Sequence, residues 1–259
     1  MSLLQVIILG IVEGITEFLP ISSTGHLILL ADILKVVKTD FLKTFEISIQ
    51  FGAILAVVVL YWRKLFLDSE VIKKIITAFI PTAILGLVFY KIIKTYLMDS
   101  NIVVLCALFL GGVFLVVFEL IYQRKIMEDA QIIDIKKISY KQSFLIGLFQ
   151  SVAMVPGVSR SAATIVGGLI LGLNRKTIVE FSFLLAVPTM AAATGLDLIK
   201  NASGFTAGQL TNLSVGFIIS FIVAMASIKF LLAFIKKYSF ISFGVYRIAI
   251  SIIVWMIIF

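Results

Sequence analysis

Glu13 and Glu17 stand four residues apart, the spacing that puts two carboxylates on one face of a helix. Like charges at that spacing repel even in water, and inside a membrane their burial costs far more. They call for a cation, a proton or a water-filled cavity. Carboxylate oxygens suit Mg2+ or Ca2+, so the pair reads as a divalent-metal site or a proton-handling site; acids lining a solvated vestibule are the plainer alternative. The segment that follows, Pro20-Ile-Ser-Ser-Thr-Gly-His26, sets three consecutive hydroxyls, Ser22, Ser23 and Thr24, ahead of a glycine and the chain's only histidine. A Ser/Thr cluster alone is usually a helix cap, and a lone His is usually a core residue. Together, with two acids one helix upstream, they supply a nucleophile, a proton carrier and metal ligands.

A second polar cluster reads Pro156-Gly-Val-Ser159-Arg160-Ser161-Ala-Ala-Thr164. Pro-Gly makes a turn, and Ser159 or Ser161 caps a new helix whose free N–H groups and positive dipole end favour an anion. Arg160 adds a planar fork suited to phosphate oxygens. Simple pairing with a Glu is the structural alternative, but hydroxyls, helix end and Arg all favour the same ligand. Glu46 and Glu180, which open matching segments, and Gln50, one turn after Glu46, are candidates for a supporting shell. Arg247, inside the last apolar run, is expected to pair with an acid in a structural role, and Lys229 to snorkel toward a cytoplasmic end.

The elements that position these residues follow from composition. Of 259 residues, 61% are hydrophobic and 14% charged, with a mean hydropathy of +1.16. A soluble domain of this length is far more polar. Apolar runs of about 20 residues recur, enough to span a bilayer core of roughly 30 Å, and the alternating segments of a β-barrel are absent. The fold class is all-α polytopic membrane protein. The net charge of +8 sits in short clusters between apolar segments, which speaks to topology rather than to nucleic acid. Cys106, the only cysteine, lies in an apolar run as a packing residue and forms no disulfide. The N-terminal stretch carries Glu13 and Glu17 and does not read as a signal peptide.

Six segments read as spans: 45–62, 75–93, 101–122, 177–199, 213–235 and 240–258. Two others, 3–36 and 143–173, are broken in the middle by the polar clusters. Broken segments are tolerated at membrane depth only inside protein or along a polar cavity, so both read as re-entrant helical hairpins, with one kinked span in each place as the alternative. The hairpins resemble each other: Gly10-Ile-Val-Glu13 sets against Gly147-Leu-Phe-Gln150, Pro20-Ile-Ser-Ser23 against Pro156-Gly-Val-Ser159, and Glu46-Ile-Ser-Ile against Glu180-Phe-Ser-Phe. Within one membrane domain, 1–259, residues 1–122 and 143–259 are then two repeats of a hairpin plus three spans, joined by a cytoplasmic loop, 123–142. An odd number of crossings inverts the second repeat, so that the two broken tips meet near the midplane. Thirteen Lys and Arg (63, 64, 73, 74, 124, 125, 136, 137, 141, 175, 176, 236 and 237) fall on one side and six Lys (35, 38, 43, 91, 94 and 200) on the other. The richer side is expected to be cytoplasmic, with both termini outside.

Glu13-Gly-Ile-Thr-Glu17-Phe-Leu-Pro-Ile-Ser-Ser-Thr-Gly-His26 and Pro156-Gly-Val-Ser-Arg-Ser-Ala-Ala-Thr164, with Phe45-Glu-Ile-Ser-Ile-Gln50 and Tyr246-Arg247, resemble the bacterial undecaprenyl-diphosphatase family associated with bacitracin resistance, over nearly the whole chain. Ala162 departs from the glycine usual there, small for small. The resemblance implies hydrolysis of undecaprenyl diphosphate to the monophosphate and inorganic phosphate, which recycles the lipid carrier for peptidoglycan. It also implies a divalent-cation requirement and a bacterial inner-membrane location with the active site open to the outer face. Carried over position by position, it makes Glu13 and Glu17 metal ligands, and Glu17, Ser23, His26 and Arg160 catalytic. Ser22, Thr24, Ser159, Ser161 and Thr164 then bind substrate. Ser23 is the expected nucleophile, activated by His26, with a metal-bound water as its rival. The expected partners are the polyprenyl lipid and the membrane, a homodimer being open and nucleic acid excluded. The competing class is a transporter of polyprenyl phosphate or another amphipathic anion, since broken inverted repeats are common there; the acid, Ser and His cluster is what anion transport does not require.

Overall fold

The structure, a computed structural model, describes residues 1–92, 100–126, 134–201 and 206–259. Lys94 and residues 127–133 of the expected connecting loop lie outside the described residues, as do the side chains of Lys91, Arg124, Lys125 and Lys200. Among the described residues all regular structure is helical, in ten α-helices: α1 (Leu3–Thr16), α2 (Ser23–Ile33), α3 (Asp40–Phe66), α4 (Ser69–Ile92), α5 (Asn101–Ile126), α6 (Tyr140–Ser151), α7 (Arg160–Ile170), α8 (Arg175–Asn201), α9 (Ala207–Phe234) and α10 (Ile241–Ile258). Short 3-10 turns cover Ile135–Lys137 and Val152–Met154.

Both broken segments are helix–break–helix units. Ser2 and Gln5 close a capping box on α1, and Ser139 and Gln142 close the matching one on α6, so each unit starts with its orphan N–H groups satisfied. Pro20 and Pro156 lack the N–H that would continue a helix, and the chain restarts at Ser22, the N-cap of α2, and at Ser159, the N-cap of α7. Within each unit the two helices pack together, α1 on α2 and α6 on α7.

The other packing pairs fall into a pattern. α1 packs on α9 as α6 packs on α4, and α3 packs on α9 as α8 packs on α4; α3–α8 and α5–α10 map onto themselves when the halves are exchanged. Gly10 and Gly147 are the matched close approaches. A Cβ on Gly10 would meet the Gly216 carbonyl of α9 at 3.1 Å, and one on Gly147 would strike the Ala78 carbonyl of α4. Small residues that let backbones approach are what holds membrane helices together, because lipid offers no hydrophobic drive.

Five helices are long and apolar enough to cross a membrane among the described residues: α3, α4 (Ser69–Phe89), α5 (Asn101–Tyr122), α9 and α10. α8, the sixth expected span, has the length at 27 residues but is not among them. It is the central helix. Phe181, Ser182, Phe183, Leu184, Leu185 and Ala186 are all fully buried, so along this stretch its surroundings are protein and its sequence need not suit lipid. The main core gathers around it, with Phe18, Leu19 and Ile21 from the first break and Ile165, Val166 and Leu169 from α7. Cys106 is exposed on α5, not packed as expected. At the α3–α4 turn Lys136 reaches Asp68 at 2.8 Å and holds its carboxyl below the usual Asp value, while desolvation opposes.

Candidate active site

The two breaks meet. A Cβ on Gly25 would lie 3.3 Å from the Gly157 Cα, and Arg247 of α10 ties both to α5. Its guanidinium donates to the carbonyls of Pro20 (3.4 Å) and Gly157 (3.0 Å), one from each break, and of Ala107 (3.0 Å) and Leu108 (3.3 Å). The acid partner expected for Arg247 is replaced by four backbone carbonyls. Breaks leave carbonyls without helical partners, and a fully buried guanidinium with five donors can satisfy several at once. Gly157, at φ +90°, takes the left-handed conformation that glycine allows, and any Cβ there would sit 2.5 Å from the Val104 carbonyl. Ser22, at φ 72°, takes the same region without that freedom.

A cavity of about 150 Å3 is lined by Glu17, Ser22, Ser23, Thr24, Ser159 and Arg160, by Thr82, Gln150 and Thr189, and by Ala153, Met154, Val158 and Met190. Ser22 accepts from the Gly25 amide at 3.4 Å and Ser159 from the Ala162 amide at 3.1 Å. Each hydroxyl thus caps its helix, and the first amides of α2 and α7 are left without intrahelical partners. Two helix N-termini face one cavity, and their dipoles add in favour of an anion.

Three side chains form a buried chain along this wall. Ser23 Oγ donates to Glu17 Oε2 at 2.5 Å, and Arg160 Nη2 donates to Glu17 Oε1 at 3.2 Å. Arg160 Nη1 donates to the Ser182 carbonyl at 3.0 Å, and its buried Nε has no hydrogen-bond partner among the described residues. The guanidinium is therefore held on two sides with donor capacity to spare. The Arg160–Glu17 pairing named as the structural alternative is present, and it is also the cavity wall.

Other expected site residues stand back from the cavity lining. Ser161 Oγ donates to the Phe18 carbonyl at 2.8 Å, joining α7 to the first break. Thr164 Oγ1 lies 3.0 Å from the Arg160 and Ser161 carbonyls and 2.6 Å from Ser182 Oγ. His26 makes no bond to Ser23. Its Nδ1 is 2.7 Å from the Ser22 carbonyl and its Nε2 2.9 Å from the Tyr246 hydroxyl, with the two rings stacked at 5.6 Å. Glu180 pairs with Lys64 at 2.6 Å, away from the cavity; Glu46 and Gln50 are half-buried and Lys229 exposed.

Glu13 lies one turn behind Glu17, fully buried, and neither of its oxygens has a hydrogen-bond partner among the described residues. Orphaned buried carboxylate oxygens beside a second carboxylate fit a hard divalent cation. No group of three or more His, Cys, Asp or Glu converges among the described residues, so the protein would supply two carboxylates and leave other positions to water and phosphate, the habit of Mg2+ sites.

The sequence reading missed Thr82, Gln150 and Thr189. Signals for them were there: each Thr directly follows a proline inside a span, Pro81 and Pro188, and Gln150 is the residue matched to Glu13 between the repeats.

A multi-pass helical membrane protein with a polar, anion-suited cavity between two broken helices is the class these features define. The profile of the bacitracin resistance protein BacA family matches residues 6–253, and the chain belongs to that family. It is 55% identical to an undecaprenyl-diphosphatase of Sulfurihydrogenibium sp. over 99% of both chains. It is 53% identical to that of Aquifex aeolicus over 96% of both, and 50% identical to that of Wolinella succinogenes over 98% of this chain and 97% of the relative.

Proposed function

We propose that the chain hydrolyses undecaprenyl diphosphate to undecaprenyl phosphate and inorganic phosphate, recycling the lipid carrier for peptidoglycan synthesis. Family membership and relatives of that name at 50–55% identity support the activity. The observation that carries the chemistry is the buried Ser23–Glu17–Arg160 chain at a cavity faced by two helix N-termini.

Phosphoryl transfer needs positioning and charge neutralisation more than covalent chemistry. Arg160, with the amides of α2 and α7, holds the terminal phosphate, and its unused N–H groups take the charge that builds on the equatorial oxygens. Ser23 is the nucleophile and Glu17 its proton acceptor, on the strength of the hydrogen bond between them. Ser23 Oγ bonds to the terminal phosphorus as the bridging P–O bond breaks; Glu17 takes the serine proton and passes it to the departing prenyl monophosphate. Water then attacks the phosphoserine, Glu17 receives its proton, and Ser23 Oγ recovers one as the P–O bond breaks. Glu13 and Glu17 would hold a divalent cation, Mg2+ or Ca2+, which supplies charge neutralisation on the diphosphate. His26 acts on Ser23 through the backbone, fixing the Ser22 carbonyl. Ser161 and Thr164 likewise support Arg160 from behind.

The apolar part of the lining suits a lipid tail: Ala153 and Met154 line the cavity from the 3-10 turn, whose first residue Val152 is 58% exposed. An inverted repeat is supported by the matched packing pairs, and re-entrant hairpins by the short lengths of α1, α2 and α7. On the family resemblance, with the Lys- and Arg-rich ends in the cytoplasm, the site opens to the outer face of the cytoplasmic membrane. One chain holds the whole residue set, so the reaction needs no second copy. Phosphate release by the purified chain in detergent tests the reading. A transporter would release none, because detergent leaves no second compartment.

A further inference from the structure

In the same cavity lining as Ser23, three polar side chains form a cluster that the reaction above does not use. Gln150 Nε2 donates to Thr82 Oγ1 at 2.9 Å and to Thr189 Oγ1 at 3.1 Å. Thr82 Oγ1 in turn donates to the Gly147 carbonyl at 3.0 Å, and Thr189 Oγ1 to the Leu185 carbonyl at 2.8 Å. Carbonyls only accept, so each threonine has committed its single proton and can only accept from Gln150. That fixes the amide the right way round, with both N–H bonds occupied and Oε1 as the spare atom. Gln150 is 2% exposed, and Oε1 has no hydrogen-bond partner among the described residues. A buried amide oxygen left unpaired loses its hydration without a replacement, so it calls for a partner. Here it is held by three elements, α4, α6 and α8, at the wall of the phosphate cavity.

Gln150 belongs to a lining that carries the donors of Arg160 and the first amides of α2 and α7, with Glu17 as its charged acceptor; Oε1 is a second, uncharged acceptor with no partner of its own among the described residues. An ionised phosphate oxygen would be repelled by it; a ligand with an O–H to give would be held. Hydrolysis of a diphosphate must admit one such molecule, water. We propose that Gln150 Oε1 binds and orients the hydrolytic water. The inference rests on the phosphatase reading. One O–H of the water points to Oε1 and the other to Glu17, which leaves an oxygen lone pair free to approach phosphorus. The new P–O bond forms as the P–O bond to Ser23 breaks. Its electron pair stays on Ser23 Oγ, which takes the proton relayed by Glu17, and the product is inorganic phosphate.

This arrangement separates water from alcohols. Water has two O–H groups, one for Gln150 and one for Glu17. Methanol has one and cannot satisfy both. The test uses the full chain in detergent with a prenyl diphosphate, assayed in buffer and in aqueous methanol. Inorganic phosphate and methyl phosphate are measured side by side. Gln150→Met keeps the side-chain length without the oxygen. It is expected to lower kcat at least tenfold with KM within about twofold, and to raise the ratio of methyl phosphate to inorganic phosphate. Thr189→Val, which keeps Oε1 but unclamps the amide, is expected to move both quantities the same way by less, and it serves alone if Gln150→Met does not accumulate folded. An unchanged product ratio in whichever variant folds, or a change confined to KM, overturns the assignment. If the unaltered chain itself releases no phosphate, the phosphatase reading has failed, a result distinguishable from the first.

Discussion

Glu17 and Arg160 are 143 residues apart in the chain and meet as a buried ion pair of 3.2 Å, with side chains only 4% and 12% exposed. The pair joins the end of α1 to the start of α7 across the two breaks. Ser23 occupies the other carboxylate oxygen and the Ser182 carbonyl a second guanidinium nitrogen, so neither charge is free to swing away. In the proposed reaction one carboxylate therefore has two duties: orienting the guanidinium and receiving the serine proton.

Arg160→Lys keeps the charge but not the fork. A lysine cannot reach Glu17 Oε1 and the Ser182 carbonyl together while presenting N–H groups to a phosphate. We expect a roughly hundredfold loss in kcat, about 2.7 kcal/mol of transition-state stabilisation. Expression and thermal unfolding should stay near those of the unaltered chain. Phosphate release at saturating substrate is the measurement, and a Lys variant of near-normal rate would reduce Arg160 to a structural partner of Glu17.

The crossing of the breaks depends on Arg247. Arg247→Met would strand the carbonyls of Pro20, Gly157, Ala107 and Leu108 in a buried place, at about 1–3 kcal/mol for each that finds no new donor. Gly157→Ala would force a Cβ to within 2.5 Å of the Val104 carbonyl from a left-handed backbone. Both variants should unfold at markedly lower temperature in detergent, and activity should fall with folded fraction at each temperature. A stable but inactive Arg247→Met would place Arg247 in the chemistry instead.

Much of this site was legible because polar residues are costly in an apolar chain. Glu17 and Arg160 are charges, and Ser23 one of a run of hydroxyls, inside segments otherwise rich in Leu, Ile, Val and Phe, and Pro20 and Pro156 mark the breaks by the donors they lack. What did not show was backbone. The Ser161–Phe18 and Arg247–Pro20 bonds end on carbonyls, which every residue carries, so no spacing announces them. The resemblance implies that His26 activates Ser23, but the imidazole is in hydrogen-bond contact with the Ser22 carbonyl and the Tyr246 hydroxyl instead of Ser23. Cys106 was misjudged for another reason. In lipid, an apolar residue is at home on either face of a helix, so α5 gives no periodic sign of which side meets protein.

At the α3–α4 turn, Lys136 holds Asp68 below its ordinary value near 3.8. A folded-state pKa below the unfolded one contributes stability above the unfolded value and loses it as pH falls through the folded one. Asp68→Asn should therefore lower the unfolding temperature slightly at pH 7, by the amount an exposed pair allows. The difference from the unaltered chain should close as the pH falls through the lowered folded-state value. A gap that persists in strong acid would mean that Asp68 contributes through something other than its charge.

The membrane orientation can be read with single cysteines in a Cys106→Ala background, needed because Cys106 is itself exposed. An impermeant thiol reagent added to intact cells should label a cysteine at Asp40, before α3, and not one at Lys136. Labelling of both from one side would end the inverted arrangement and with it the outward opening of the site.

The acid pair gives the sharpest test of the metal. Glu13 is fully buried with two unpartnered oxygens, and Glu17 already serves Ser23 and Arg160. If a cation bridges them, Glu13 is the residue whose main duty is to hold it. Glu13→Gln should then shift the Mg2+ or Ca2+ dependence of phosphate release to higher concentration, with much of the maximal rate recovered at saturation. Glu17→Gln should lower the maximal rate as well, because it also removes the proton acceptor for Ser23 and half the ion pair to Arg160. Exhaustive chelation should abolish activity in the unaltered chain, and readdition should restore it. Binding can be read without turnover, as a rise in unfolding temperature with added metal that Glu13→Gln weakens. If activity survives chelation and the unfolding temperature ignores the metal, Glu13 must be buried as the neutral acid. Glu13→Gln, isosteric with that form, should in that case be nearly silent in both rate and stability. The two outcomes for one substitution, a displaced metal curve or silence, decide between cation and proton at this site.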